Sequence, residues 1–370
     1  MADQAKDRRN PGPRVLYLAV QSQGYPRNSM IRSYLAESCN AQVEIVQLSS
    51  NPGYLRHCFE ILVSAWRRGR RFDVVVLAEF SVPFAAVAWL ISRFVRARFV
   101  VDFFVGLYET HVQDRAAVRP KSAKARVLRW FDAFALDRAD LVLSDTEARA
   151  AKWSGGKRSC IVIPVGAPEW AQPTHPPAAS RPLRILYYGN YIPLHGLPTV
   201  IRALEALDGV LDYRITLIGD GEARESVQHQ VEAGRVATKA TFLSAVPERE
   251  LAGYVERSHV VLGVFGESEK ASTVIANKVW QGLLSGRVVA TRDGPGVDEI
   301  KSLAGEQLAL SCDVTVESVA SAVLQAAERV DRDYTENTIV LRSYVSSRLK
   351  NFGDWVREAA GAAESGSVHG

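Results

Sequence analysis

The chain has 370 residues, 47% of them hydrophobic and 23% charged, with a formal net charge of +4. That is room for two globular domains, and the composition excludes an intrinsically disordered chain. Cys39, Cys58, Cys160 and Cys312 show no paired spacing. This argues against a zinc site and a disulfide framework, and predicts a reducing, cytoplasmic compartment.

Residues 1–13 are charged and lack an apolar run. They predict a disordered start and no secretory leader. An apolar strand follows at 14–20, then the loop QSQGYPRNS, a helix over 30–38 and a strand over 43–48. Residues 54–70 form an amphipathic helix with a basic end at Arg67, Arg68, Arg70 and Arg71. Residues 72–78 (FDVVVLA) read as the next strand. The uncharged run 80–91 is too short to span a bilayer and reads as a buried helix after a turn at Pro83. Strands at 98–103, 141–144 and 160–164 alternate with helices at 124–136 and after Thr146, which caps its helix. Strand and helix in alternation predict a doubly wound parallel sheet.

The stretch GAPEWAQPTHPPAASRP holds five of the sixteen prolines. It predicts an interdomain linker at 167–182. The alternation then restarts: strands at 183–188, 213–218, 240–243, 260–265 and 287–291, with helices at 197–207, 222–233, 247–257 and about 273–284. Residues 334–360 are helical, with Trp355 as packing anchor. The expected architecture is α/β: two Rossmann-like doubly wound domains facing a cleft, at 14–166 and 183–340. A C-terminal helix, 341–360, crosses back to the first domain, and a disordered tail occupies 361–370.

In a parallel sheet, strand ends and helix N-termini converge on one edge, and ligands bind there. Glu267, Glu269, Lys270, Asn277 and Lys278 crowd that edge in the second half, which suits a polar, phosphorylated ligand. Gly189-Asn190-Tyr191-Ile192-Pro193-Leu194-His195-Gly196 joins a strand to a helix. Its glycines let backbone N–H groups approach a phosphate, and His195 can donate a charge-assisted bond. An ordinary turn explains the same residues, as it does Gly219-Asp220-Gly221. Lys278, if it falls in the first helical turn, opposes the helix dipole unless an anion neutralises it; a solvated lysine is the plainer reading. In the first half, Gly24, Tyr25 and Arg27 follow the first strand, and Asp102 ends a later one. Glu109, His111, Asp114 and Arg115 fall in the loop beyond it. These groups suit acid–base or acceptor-binding work, with solvated loop charges as the alternative.

Neither half carries G-x-G-x-x-G after its first strand, and no P-loop, H-E-x-x-H or G-x-S-x-G is present. This weighs against dehydrogenases, zinc proteases and serine hydrolases. Residues 1–170 hold 25 Lys and Arg against 16 Asp and Glu, an excess of +9, while the remainder hold 20 against 25. A basic first half fits an anionic surface, and equally a solvated face.

Four segments resemble the GT-B-fold glycosyltransferases of the large retaining family four: YPRNSMIRSYL, LYETHVQDR, YYGNYIPLHGL and GVFGESEKASTVIANKVWQGLLSGRVVATRDGPGVDEI. The last is similar to the donor segment E-K-x-x-x-x-I-P-N-K-V-x-Q/E-x-L-A-x-G-x-P-V of bacterial members. The resemblance implies metal-independent transfer of a sugar from a nucleotide-diphosphate donor to an acceptor hydroxyl, with retention. It implies no cofactor and no metal. The second domain would hold the donor through Gly189, Asn190, Gly196, Asp220, Glu269, Asn277 and Gln281, with Lys278 and His195 as catalytic groups. Gly24, Tyr25, Arg27, Asp102, Glu109 and His111 would lie on the acceptor side. The partners implied are the nucleotide sugar, a sugar, lipid-linked or small-molecule acceptor, and an anionic membrane at its inner face; no nucleic acid is expected. Where relatives place Arg and Lys for the diphosphate, this chain has Asn190 and His195. The usual glutamate pair falls on Thr273 and Gln281, and Ala276 stands where relatives often have Pro. These departures leave open a catalytically silent partner protein, and the fold leaves open a sugar-nucleotide epimerase.

Overall fold

The computed structural model describes residues 12–49, 53–69, 71–175 and 182–366. Residues 1–11, residues 50–52, Arg70, linker residues 176–181 and tail residues 367–370 lie outside the described residues. The chain groups into two compact units. The first takes in the residues up to Phe104, Ala133–Leu143 and those from Leu349 on; the second takes in Val105–Asp132 and Ser144–Arg348.

The first half of the chain runs β1 (Arg14–Val20), α1 (Pro26–Ser38), β2 (Gln42–Gln47), α2 (Tyr54–Arg68), β3 (Val74–Leu77), α3 (Ala85–Val95) and β4 (Arg98–Asp102). It continues with α4 (Ala123–Arg138), β5 (Leu141–Ser144), α5 (Glu147–Ser154) and β6 (Cys160–Val162). The strands form a six-stranded sheet in the order β2-β1-β3-β4-β5-β6. β3 (VVVL) and β5 (LVLS) are buried along their whole length. Strands covered on both faces need such unbroken apolar runs, which is why they stand out in the sequence. The order reverses between β1 and β3, and that is where a sheet of this kind opens a crevice at its carboxyl edge.

The second half runs β7 (Leu183–Tyr188), α6 (Leu197–Ala206), β8 (Tyr213–Ile218), α7 (Arg224–Ala233), β9 (Ala240–Leu243), α8 (Glu248–Arg257) and β10 (Val260–Leu262). Then follow α9 (Glu269–Thr273), α10 (Asn277–Leu284), β11 (Val288–Arg292), α11 (Asp298–Ala304), β12 (Leu308–Ser311), α12 (Val316–Ala327) and α13 (Thr335–Gly366). The sheet order is β12-β11-β10-β7-β8-β9, with parallel pairings, so its reversal lies between β7 and β10.

Several expectations need correction. The helix after the first strand begins at Pro26, not Met30, because Pro is pre-organised for a first helical turn. The residues Glu109–Asp114, read as loop, form a π-helical turn. The helix expected over 273–284 begins only at Asn277, and a separate short helix, α9, ends at Thr273. Ser268 caps α9, its Oγ accepting from the Ala271 amide at 3.2 Å. The β-branched run Thr273-Val274-Ile275 then disfavours continuation, and α10 starts at Asn277. The elements α11, β12 and α12 add to the expected set. Residues 361–366, expected to be disordered, continue α13. Fully buried Phe352 is the anchor of that helix, with half-buried Trp355 stacked on it at 6.4 Å. A Cβ added to Gly353 would come within 2.6 Å of the Cys39 sulfur, so α13 meets the first unit at close range. The start of the linker is held in place: Arg287 donates to the Thr174 carbonyl at 3.2 Å and Arg342 to that of Ala171. None of the four cysteines forms a disulfide.

Candidate functional site

The reversal between β7 and β10 brings two loops together. The amides of Phe265 and Gly266 donate to the carbonyls of His195 and Leu194, at 3.1 and 3.0 Å. Gly196 makes this possible. Its φ is +63°, and a Cβ there would fall 2.3 Å from the Phe265 carbonyl oxygen. The loops after β7 and β10 are thus stitched backbone to backbone.

On that platform Lys278, the second residue of α10, is buried. Its Nζ lies 3.4 Å from His195 Nδ1 and 4.1 Å from the centre of the Tyr187 ring. Among the described residues no carboxylate pairs with it. A cation there faces both burial and the positive end of the helix dipole. Burial pushes its pKa well below the usual lysine range. His195 is also buried, and burial, then Lys278, push its imidazole well below the usual histidine value. Its Nδ1 lies 2.7 Å from the Tyr187 hydroxyl, which donates to the Asn190 carbonyl at 2.9 Å. Tyr187 therefore fixes the ring. Burial and Lys278 both favour the neutral imidazole, so the charge-assisted bond expected of His195 depends on an anion arriving beside it. Gly189 adjoins this pair. A Cβ on it would lie 3.3 Å from Lys278 Nζ, and its φ is +131°. The absence of a side chain leaves room directly beside the amine.

The remaining donor-side residues take different places. Asn190 is exposed and Asn277 half-buried, at the first position of α10. Gln281, one turn on, is buried, and its Oε1 has no partner among the described residues. Asp220 is exposed; it pairs with Arg224 and accepts from the Ala245 amide at 3.0 Å, so it ties down its own loop. Glu269 is exposed and pairs with Lys152 at 3.0 Å. The Thr273 hydroxyl donates to the carbonyls of Glu269 and Lys270, at 3.1 and 3.2 Å.

Glu109 is buried, not in an open loop. Burial raises its carboxyl, but Arg149 at 2.8 Å and Lys152 at 3.0 Å outweigh this and hold it below the usual range. Arg149 also pairs with Asp145 at 2.9 Å. His111 is half-buried, and burial, then Arg115, Lys124 and Lys270, push its imidazole down. Lys270 is buried and donates to Thr110 at 3.1 Å.

In the first unit the crevice between β1 and β3 has its own polar cluster. Arg27 and Asp102 form a buried two-point ion pair, with Nε–Oδ2 and Nη2–Oδ1 both at 2.9 Å. Both are thus held by each other beneath the surface. Gly24 is exposed, and the Tyr25 ring meets those of Phe80 and Phe104 at 5.1 and 6.1 Å. Glu79 joins this cluster. It is buried, accepts from Asn28 through Oε1, and leaves Oε2 without a partner among the described residues. Burial, then Asp102, raise its pKa to about 7. The backbone around it is strained: Ala19 and Phe80 have φ of 59° and 61°, and Ser81 Oγ donates to the Ala19 carbonyl at 2.6 Å. Left-handed non-glycine residues beside a perturbed carboxyl are typical of functional positions. Nothing in the sequence marks Glu79 out from other strand-end acids.

Residues 14–166 match the model of the glycosyl transferase 4-like domain. No curated protein matches the chain. Among solved structures, Alr3699/HepE of Anabaena, in complex with UDP and glucose, is similar with a TM-score of 0.66 at 14% identity, over 94% of this chain and 99% of its own. A glycosyltransferase from Rickettsia africae ESF-5 gives 0.65 at 11% identity, over 95% and 99%. A putative UDP-N-acetylglucosamine 2-epimerase from Listeria monocytogenes gives 0.56 at 10% identity, over 93% and 97%. Identities this low establish a shared fold: the α/β fold of the GT-B glycosyltransferases, which the epimerase has too.

Proposed function

We propose that this chain, whose residues 14–166 belong to the glycosyl transferase 4-like domain family, transfers a sugar from a nucleotide diphosphate to an acceptor hydroxyl. The observation that carries the proposal is Lys278: a buried amine beside bare Gly189 and 3.4 Å from His195, with no carboxylate of its own among the described residues. Such a site is incomplete without an anion. A donor diphosphate completes it, favours the charged form of Lys278, and favours His195 as a donor. As the glycosidic bond breaks, negative charge grows on the leaving diphosphate, and cations held out of water stabilise it strongly. This supports metal-independent transfer.

In our reading configuration is retained, and the donor phosphate takes the proton of the acceptor hydroxyl; no protein nucleophile is assigned. Gln281, whose buried Oε1 has no partner among the described residues, helps to hold the nucleotide. The acceptor is a sugar, a lipid-linked sugar or a small molecule, in cell-envelope polysaccharide, glycolipid or secondary-metabolite synthesis. We also propose peripheral attachment to an anionic membrane, supported by the basic first half and the arginines ending α2. Among the described residues no helix is long and apolar enough to cross a membrane. The second reading is a silent nucleotide-sugar-binding partner. It is favoured by Thr273, whose hydroxyl is committed to backbone carbonyls where relatives place a glutamate.

Thermal shifts with UDP-, GDP-, ADP- and dTDP-sugars test donor binding, since a ligand of the native state raises the melting temperature. One of the four should do so, and release of its nucleoside diphosphate in an acceptor screen distinguishes the enzyme from the silent partner. If none of the four shifts the folded protein, the donor-site reading fails.

A further inference from the structure

An amphipathic helix on a protein surface normally turns its apolar face inward. α2 does so only in part. Ile61 and Ala65 are buried, but Leu55, Phe59, Leu62 and Trp66 are 81%, 67%, 44% and 74% exposed. Their spacing puts all four along one side of the helix. Beside them, α3 exposes Leu90 and Phe94. Between the two helices runs a groove of about 500 Å³, lined by apolar residues, Trp66 and Phe94 among them. An exposed aromatic patch of this extent on one face calls for an occupant.

Charge says which occupant. Arg67, Arg71 and Arg96 border the patch in sequence, are exposed, and pair with no acid among the described residues. The acids nearby are already engaged: Glu60 with Arg56 at 3.3 Å, Glu44 with Arg68 at 3.2 Å, and Asp140 with Arg98 at 3.5 Å. The patch is therefore apolar with a cationic border. A second copy placed on it symmetrically would set arginine against arginine. A bilayer with anionic headgroups offers hydrocarbon to the aromatic rows and phosphate to the guanidinium groups.

We propose that α2 and α3 insert the side chains of Leu55, Phe59, Leu62, Trp66, Leu90 and Phe94 into the interface of an anionic bilayer. The inference rests on the membrane part of the proposed function and is independent of the transfer chemistry. It differs from attachment by charge alone, because part of the binding then survives salt.

The test uses the full chain with phosphatidylcholine vesicles, with and without phosphatidylglycerol, at low and high salt. Lipids brominated on the acyl chain report depth by quenching tryptophan. Expected are binding to the anionic vesicles, partial retention at high salt, and quenching that Trp66→Phe reduces. Phe59→Ser with Trp66→Ser should weaken partition roughly tenfold or more without lowering the melting temperature, because both side chains are exposed. Binding that salt abolishes, without quenching, would overturn insertion and leave attachment by charge standing. Absence of binding to anionic vesicles at low salt would overturn both. A dimer in sedimentation that the double variant abolishes, without vesicle binding, would assign the patch to a second copy instead. Nucleotide binding on the same samples is expected to be unchanged, so failure here does not touch the donor site.

Discussion

Lys278 Nζ stands 3.4 Å from His195 Nδ1 although 83 positions separate them in the chain, and among the described residues neither has a carboxylate partner. Two basic groups in contact within a buried site destabilise the free protein and favour any anion that enters. Lys278→Met keeps the aliphatic stem and removes the amine. We expect weaker nucleoside-diphosphate binding, by about 1–3 kcal/mol for a lost charge-assisted bond, together with a melting temperature unchanged or raised. Because burial lowers the Lys278 pKa in the fold, the unfolded chain holds that proton more tightly and the lysine's cost grows as pH falls. The stability gain should therefore be larger at acid than at alkaline pH. Calorimetry and thermal melts on the same variant check both signs. Unaltered affinity in a folded variant would remove Lys278 from the site.

Proton uptake should accompany binding. His195 and Lys278 titrate below their usual values in the free protein, and a bound diphosphate raises both. Between the free and bound pKa values the complex takes up protons, so affinity falls as pH rises. Titration of UDP in buffers of different ionisation enthalpy measures the uptake directly. Lys278→Met should reduce it; uptake identical in wild type and variant would place the titrating group elsewhere.

Turnover should survive chelation. In our reading Lys278, His195 and backbone N–H groups carry the charge that a divalent cation carries in metal-dependent transferases. The rate of nucleoside diphosphate release should be the same with and without EDTA. A loss restored by Mg²⁺ or Mn²⁺ contradicts the mechanism.

Glu79 gives a prediction for the first unit. Its pKa is raised to about 7, so across roughly pH 4.5 to 7 the native state holds a proton that the unfolded chain has lost. Its contribution to stability is thus most favourable below that window and declines as pH rises through it. Above about pH 7 the fold carries a buried charge. Glu79→Gln keeps a carbonyl oxygen for Asn28 and removes the charge. The variant should be more stable than wild type by about 2–3 kcal/mol near pH 8 and nearly equal to it near pH 4. Denaturant melts at the two pH values decide it; equal differences at both would mean Glu79 does not titrate in this range.

How much was legible followed from how local each cause is. β1, β5, β7 and β8 could be bounded from sequence because each is a short, mostly apolar, β-branched or aromatic stretch between polar loops, even where an outward residue such as Arg184 or Arg214 interrupts it. The split between α9 and α10 was harder, since the apolar pattern continues through Val274-Ile275-Ala276 while the backbone leaves the helix. Lys278 and His195 were each legible as candidates. Their contact was not, because it depends on β7 and β10 being neighbours, and sheet order is not written in spacing. Arg27 and Asp102 looked like ligand-facing groups at strand ends; only the fold shows that they face each other. Glu79 passed unnoticed because its special character comes from burial and the strained backbone at Ala19 and Phe80. The outward face of α2 was hidden for a related reason: amphipathicity locates an apolar stripe and does not say which way it turns.

The last helix has a consequence for how the chain is made. α13 begins among the residues of the second unit, and from Leu349 on it belongs to the first. Phe352, Val356 and Ala359 are buried there, and Gly353 lies against Cys39. A ribosome has therefore delivered the whole of the second sheet before it releases the residues that finish the first unit. Until then the α1 surface around Cys39 lacks its covering helix. Neither unit can be separated by a single cut at the proline-rich linker: such a cut strands the closing helix of the first unit on the second. The chain is two units by packing and one by synthesis.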